Sequence, residues 1–334
     1  MSFAHSNISI FVPHIGCPNM CSFCNQRHIT GKTFAPKAQD VIDAVNVAVS
    51  SKNYNPKTTE IAFFGGSFTA INRTYMLRLL KTAYQFVESG MVSGIRISTR
   101  PDAIDDEILL LLKQYGVTSI ELGAQSLNDK VLMLNNRGHS SQDVINASNL
   151  IKKHGFSLGL QMMTGLYGDC DDFAIETAEE IIKLKPDTVR IYPTIVLKNT
   201  DLAALYIDNK YKPQTLENTV ELCARLLTMF EVENIRVIRL GLHSIEENSY
   251  IAGPWHPAFS ELCYSKIYFN IAKKLLNEKG NYTLYVNQSA ISKMIGQRKE
   301  NINELKKLGF DCVVKADKTC KDYEIKVERR KKCF

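Results

Sequence analysis

No stretch of this chain approaches the about 20 consecutive apolar residues that carry a helix across a bilayer. The first residues, Met1-Ser2-Phe3-Ala4-His5, have no basic flank and no cleavable apolar segment, so the expected location is the cytoplasm. There is a single tryptophan, Trp255. No disulfide framework is legible: nine cysteines is an odd number, and six of them (Cys170, Cys223, Cys263, Cys312, Cys320 and Cys333) share no regular spacing. That usage suits a reducing compartment. Residues 1–245 also lack a net charge, with 24 Lys+Arg against 24 Asp+Glu. The whole net charge of +6 falls in residues 246–334, where 17 basic residues face 11 acidic ones. Such a segregated basic excess suits a polyanionic partner or a solvated face. An apolar fraction of 45% and a charged fraction of 23% describe an ordinary globular chain. At 334 residues one large domain with an appendage is expected.

Against these absences stands one dense tract, Gly16-Cys17-Pro18-Asn19-Met20-Cys21-Ser22-Phe23-Cys24-Asn25, directly after the apolar run Ile8 to Val12. The spacing is C-x3-C-x2-C. Three thiolates this close can hold three irons of a cubic iron-sulfur cluster and leave one corner without a cysteine. The competing readings are a zinc knuckle completed by His14 or His28, and three buried apolar cysteines. Structural zinc normally takes four protein ligands, and no fourth Cys or His stands at a regular interval from the triplet.

Along the chain, short apolar strands alternate with amphipathic helices. Strands are expected at 7–12, 60–64, 94–98, 119–123, 157–161 and 188–192, and helices at about 38–50, 72–89, 104–115, 141–154 and 173–184. The intervals allow right-handed crossovers between parallel neighbours, so the fold class is α/β with a covered parallel sheet. Each strand is followed by an unusual polar tract: Cys17 to Cys24, Gly65 to Thr69, Thr99 to Asp102, Gly123 to Ser126, Gln161 to Gly168 and Tyr192 to Thr194. A partial barrel would collect all six on one rim; an open doubly wound sheet fits the alternation as well.

The cysteine spacing with Phe23 in its second gap resembles the radical S-adenosylmethionine (SAM) superfamily. More closely, Phe64-Gly65-Gly66-Ser67-Phe68-Thr69, Ser98-Thr99-Arg100-Pro101-Asp102, Glu121-Leu122-Gly123-Ala124-Gln125-Ser126, Asn136-Arg137-Gly138-His139, Met162-Met163-Thr164-Gly165-Leu166 and Arg190-Ile191-Tyr192-Pro193-Thr194 are similar to the radical SAM domain of the Elongator catalytic subunit. The likeness runs over about residues 7–245. It decides for a partial, TIM-like (β/α)6 radical SAM barrel over 1–245, followed by a small basic α/β module over 246–334.

The resemblance implies a [4Fe-4S] cluster on Cys17, Cys21 and Cys24, SAM on the open iron, and an external electron donor of flavodoxin or ferredoxin type. It implies cofactor contacts from Phe23 against adenine, from Gly65, Gly66 and Ser67 at the SAM amino group, and from Arg137 at its carboxylate, where an arginine fork matches in geometry and charge. Gln125 and Gln161 would meet ribose hydroxyls and the adenine edge. Tyr192 and Lys198 would lie beside the substrate. Two departures stand out. Ser67 and Ser98 occupy places where the relatives often or usually carry Glu, and about ninety residues after Ile245 are too few for the acetyltransferase domain that follows in the Elongator subunit.

In the last segment, helix 260–276, strand 282–286, helices near 289–308 and strands 311–316 and 322–328 form the small module. Its tract Ile295-Gly296-Gln297-Arg298-Lys299-Glu300-Asn301 resembles the loop of a KH domain, with Lys299 where a second glycine would stand. With Arg329-Arg330-Lys331-Lys332 it is a signal for nucleic acid. The expected function is reductive cleavage of SAM to a 5′-deoxyadenosyl radical, with a transfer RNA nucleotide as substrate and no membrane involvement. The alternatives are a radical SAM enzyme on a small anionic metabolite, as in oxygen-independent coproporphyrinogen oxidase, and a non-catalytic metal protein that binds RNA.

Overall fold

The computed structural model describes residues 6–12, 17, 21–24, 35–242 and 247–330. His14, His28, Lys331 and Lys332, named above, lie outside the described residues. Seven strands form one parallel sheet: β1 (Ser6–Val12), β2 (Thr59–Gly65), β3 (Gly94–Thr99), β4 (Val117–Gln125), β5 (Ser157–Thr164), β6 (Thr188–Pro193) and β8 (Arg236–Leu240). They are paired in that order, every pair parallel, as a curled half-barrel. A short antiparallel ribbon, β7 (Val196–Leu197) with β9 (Tyr250–Ala252), lies apart from the sheet. The sheet carries one strand more than the six expected. β8, Arg236-Val237-Ile238-Arg239-Leu240, is a five-residue edge strand with arginines at two of its positions, so its apolar content alone does not announce it.

Helices separate the strands: α1 (Ala38–Val49), α2 (Arg73–Glu88), α3 (Asp106–Gln114), α4 (Asp129–Leu134), α5 (Ser141–Lys153), α6 (Asp171–Leu184), α7 (Asp201–Ile207) and α8 (Leu216–Val232). Several begin where a short polar side chain can satisfy the orphan amides of the first turn. Asn72 accepts from Tyr75 N, Asp105 from Ile108 N and Thr215 from Asn218 N. Ser140 and Asp143 form a reciprocal capping box. The fully buried Val41, Leu80, Leu112, Val144 and Ile181 of the helices and Ile61, Ile97, Ile120, Leu158 and Val189 of the strands belong to one apolar core.

Successive strand residues alternate between two faces. On β4, Ile120, Leu122 and Ala124 join the apolar core, while Glu121 and Gln125 are buried on the opposite, inner face. That inner face is polar. Glu121 accepts from Arg96 (3.1 Å), Arg190 (2.7 Å) and Gln161 Nε2 (3.0 Å), and Arg96 also bridges to Glu60 at 2.9 Å. Two arginines and two glutamates thus neutralise each other inside the half-barrel. Gly159 makes room for this network: a Cβ there would stand 2.8 Å from Glu121 Cγ.

After the ribbon comes α9 (Phe259–Leu275), then β10 (Gly280–Val286), α10 (Ile291–Ile295), α11 (Glu300–Lys307), β11 (Phe310–Ala316) and β12 (Lys326–Arg329). β10 is central, parallel to β11 and antiparallel to β12. These elements have their own apolar cluster around Leu284, Val286, Met294 and Leu305. α9 serves both cores: Cys263 and Ile267 pack into the larger one, Tyr268 and Ala272 into the smaller.

Candidate active site

The C-terminal ends of β1 to β4 converge on the cysteine loop. β2 ends in Gly65-Gly66-Ser67, and the Gly66 amide donates to Val12 O at 2.8 Å, stitching the turn to the end of β1. Gly65 sits at φ +115, and a Cβ there would stand 2.4 Å from Val12 O and 2.7 Å from the Phe11 ring. Only glycine allows that approach. Ser67, almost fully buried, shares a 2.8 Å hydrogen bond with Thr99 Oγ1 and accepts from Arg100 N at 3.2 Å. Thr99 Oγ1 in turn meets Thr69 Oγ1 at 2.6 Å, so the turns after β2 and β3 form one polar knot.

The thiols stand against this knot. Burial pushes the Cys17 thiol up, and the Ser67 backbone N–H opposes that shift by donating to the sulfur. The Cys21 sulfur adds to the rise, while the charges of Arg100 and Arg137 act against it. Cys21 Sγ accepts from Arg137 NH1 at 3.0 Å. Arg137 is itself held by Gly123 O (2.5 Å) and lies 6.0 Å from the centre of the Phe23 ring. Arg100 is clamped by both oxygens of Asp102, at 2.8 and 2.6 Å. Cys24 N donates to Cys21 O at 3.0 Å, closing the C-x2-C turn. Among the described residues no three His, Cys, Asp or Glu side chains form a group that would hold a metal ion. Thiolates on three separate irons of a cube stand farther apart than ligands sharing one ion, so single-ion convergence is not what a cluster requires.

Sequence reasoning missed the residue that ties the cysteine loop down. Asn135, fully buried, accepts from Ser22 Oγ at 2.7 Å through Oδ1, and its backbone carbonyl accepts from Ser22 N at 3.2 Å. Its Nδ2 donates to Val131 O (2.8 Å) and Tyr167 O (2.9 Å). The loop is further held by Leu202 N, which donates to Ser22 O at 2.8 Å. No short-range pattern reveals Asn135, because Ser22 lies 113 positions away.

Several buried polar atoms on these strand ends have no partner among the described residues: Ser98 Oγ, Gln125 Oε1, Arg137 Nε and His139 Nδ1. Burying polar atoms without partners is costly, and such orphans point to a ligand with polar edges. Gln125 also holds φ +67, a left-handed conformation unusual for a non-glycine residue. A Cβ on Gly123 would stand 3.0 Å from Gln125 Nε2 and 3.5 Å from Arg137 NH2, so these side chains share one small space. His139 Nε2 donates to Ala124 O (3.3 Å), and burial together with the Arg137 charge pulls its pKa down to about 4.

Of the residues singled out from sequence, Cys17, Cys21, Cys24, Phe23, Gly65, Gly66, Ser67, Gln125 and Arg137 come together here. Gln161 and Tyr192 belong instead to the inner network: Gln161 serves Glu121, and Tyr192 bonds to Arg190. Lys198 is exposed, and its backbone N–H donates to Ser249 O at 2.8 Å. A thiol triplet beside a glycine turn, with arginine and unpartnered amide and hydroxyl groups around it, fits an iron-sulfur cluster carrying an amino-acid-like ligand.

Comparison with known proteins agrees. Residues 11–184 match the model of the Radical SAM superfamily, and residues 186–268 match that of the Radical_SAM C-terminal domain. The chain is 23% identical over 240 residues to the tRNA uridine(34) acetyltransferase of Dehalococcoides mccartyi, covering 62% of this chain and 52% of that protein. It is 32% identical over 190 residues to human Elongator complex protein 3, covering 51% of this chain and 35% of that one. It therefore spans about half the length of the first relative and about a third of the second. The archaeal Elp3 of Methanocaldococcus infernus, solved without its first 46 residues, shares the fold with a TM-score of 0.63 at 22% identity, over 83% of this chain and 66% of that one.

Proposed function

The chain belongs to the radical SAM superfamily, and from that premise we propose that it is an iron-sulfur enzyme that cleaves SAM reductively and acts on a nucleotide of transfer RNA. The observation that carries the catalytic half is the placement of Cys17 on the Ser67 amide and Cys21 on Arg137, both at the strand ends beside the paired glycines. Cys17, Cys21 and Cys24 would hold a [4Fe-4S] cluster. When bound, the cluster and SAM supply one-electron cleavage of a sulfonium, releasing methionine and a 5′-deoxyadenosyl radical.

The protein's part is binding, orientation and exclusion of water. Arg137, whose Nε has no partner among the described residues, offers a charge-assisted donor to the SAM carboxylate. The Gly65–Ser67 turn offers backbone groups at close range, and Gln125 Oε1 an acceptor for a ribose hydroxyl. Phe23 provides an apolar face for adenine. Gln161, whose amide nitrogen is engaged by Glu121, has its carbonyl oxygen to offer. Neutral His139 beside Arg137 adds no further charge to the pocket. A flavodoxin or ferredoxin type donor would supply the electron, and the setting would be the cytoplasm. No helix among the described residues is long and apolar enough to cross a membrane.

The RNA half rests on relatives whose names state action on tRNA uridine 34. Acetyl transfer is not carried over, since the chain spans only part of those proteins. Tyr192 and Lys198 are the substrate-side residues of this reading. The test has two stages. After anaerobic reconstitution with iron and sulfide, the protein given SAM and a reductant should release 5′-deoxyadenosine, and Cys21→Ala should not; a cluster-loaded wild type that releases none overturns the catalytic half. Nucleoside analysis of total transfer RNA from wild-type and deletion strains then tests the substrate, and identical profiles would remove RNA from the proposal.

A further inference from the structure

The smaller sheet's module holds two basic side chains, Arg298 and Lys299, to which the proposed function assigns no role. β10 leads through α10, a four-residue loop and α11 into β11, which lies parallel to β10. The loop is Gly296 (φ +79), Gln297, Arg298 (φ +48) and Lys299 (φ +63). Two consecutive non-glycine residues in the left-handed region are sterically costly, and they persist only where their surroundings over-determine them. Asn301 does so here. Buried, it donates from Nδ2 to Ser265 O (2.9 Å), Ser265 Oγ (3.0 Å), Lys293 O (3.1 Å) and Met294 O (3.2 Å), fixing the end of α10 against the start of α11. Gly296 is required beside it, since a Cβ would stand 3.0 Å from Asn301 N.

This rigid loop presents Gln297, Arg298 and Lys299 to solvent. Four other basic residues of the module are paired with carboxylates: Lys307 with Glu304, Lys326 with Asp317, Arg329 with Glu278 and Arg330 with Asp311. Among the described residues Arg298 and Lys299 meet no carboxylate. They stand in the segment that carries the entire charge excess of the chain.

We propose that loop 296–299 grips the sugar-phosphate backbone of an RNA strand, with Arg298 and Lys299 each neutralising one phosphate and the Gln297 amide reaching a ribose hydroxyl. Such contacts position a strand without reading its sequence. The loop would then fix the register of a substrate whose reacting nucleotide lies in the half-barrel. The inference deepens the RNA reading above and rests on it.

The test is binding of the full-length protein to an unmodified transfer RNA transcript and to a short uridine-rich oligonucleotide, by fluorescence anisotropy over a salt series. Each lost phosphate contact lowers the slope of log K against log salt by about 0.7 for a single strand. Arg298→Ala/Lys299→Ala should therefore weaken oligonucleotide binding about tenfold or more at low salt and flatten the slope by about 1.4. Lys299→Gly, which relieves the left-handed backbone and so cannot fail through strain, should flatten it by about 0.7. The charge-matched Lys318→Ala/Lys321→Ala, on exposed positions of the β11–β12 turn, should leave the slope unchanged. An unchanged slope in the loop variants, an equal loss in the control pair, a wild type that binds neither RNA, or an equal loss of binding to phosphatidylglycerol vesicles overturns the proposal. Release of 5′-deoxyadenosine by the wild type is measured alongside. Its absence would remove the catalytic reading while leaving the slope comparison intact.

Discussion

Replacing Asn135 by alanine tests whether one amide anchors the cysteine loop. The substitution strands one buried group and one half-buried one. Ser22 Oγ, 2% exposed, loses its acceptor at 2.7 Å, and Tyr167 O loses its donor at 2.9 Å. The Val131 carbonyl keeps the helical bond from Asn135 N at 3.2 Å, so it is not stranded. A buried group left unpaired costs about 1–3 kcal/mol, which for one buried and one half-buried group gives about 3 kcal/mol. If that cost falls on local opening of the loop, amide exchange in the segment containing Ser22 should accelerate about a hundredfold, at about 1.4 kcal/mol per decade. Hydrogen–deuterium exchange with mass spectrometry on the metal-free protein reads this directly. Ser22→Ala should cost less. The double variant should cost less than the sum, with a coupling of about 1–2 kcal/mol, because neither partner then strands the other. Exchange within about threefold of wild type, or strict additivity, would refute the anchoring argument. Loss of the anchor should also lower the iron retained per chain after reconstitution, a readout that a merely global destabilisation would move in step with melting.

Three further outcomes are expected. Glu121→Gln leaves Arg96 and Arg190 with one buried carboxylate between them, and breaking such a pair costs about 3–5 kcal/mol; a urea midpoint indistinguishable from wild type would show the network to be dispensable. Gly65→Ala forces a Cβ to within 2.4 Å of Val12 O at φ +115 and should cost roughly 3 kcal/mol, with loss of cluster assembly; normal reconstitution would mean the turn can relax. His139 is held neutral, its folded pKa of about 4 lying below the unfolded 6.5. A depressed histidine contributes stability that is present above pH 6.5 and fades as pH falls towards 4, about 3 kcal/mol in all. His139→Gln, which keeps a donor for Ala124 O, should therefore flatten the loss of melting temperature between pH 7 and pH 4, and parallel curves for the two proteins would contradict the assignment.

How much of this was legible in the sequence follows from the range of each interaction. The alternation of strands and helices was readable because it is local: Ile61-Ala62-Phe63 or Ile95-Arg96-Ile97 declares a strand without reference to anything distant. The glycine turn, the cysteine triplet and Arg137 were readable because their chemistry is peculiar to each residue type. The bond from Gln161 to Glu121 on the neighbouring strand was not legible, because strand register alone decides which inner-face side chains meet. Asn135 and β8 gave no signal: one acts on a residue 113 positions away, and the other is a short strand with little apolar content. Helices α4 and α7, of six and seven residues, were too short for a periodic pattern to emerge.

α9 has a consequence for anyone who would divide the chain. Cys263 and Ile267 belong to one interior and Tyr268 and Ala272 to the other, within a single run of helix. A cut after this helix would leave Tyr268 and Ala272 bare to water, and a cut before it would strip Cys263 and Ile267 from the larger interior. Neither half is thus a ready-made fragment for expression, and the two should melt as partners rather than in sequence.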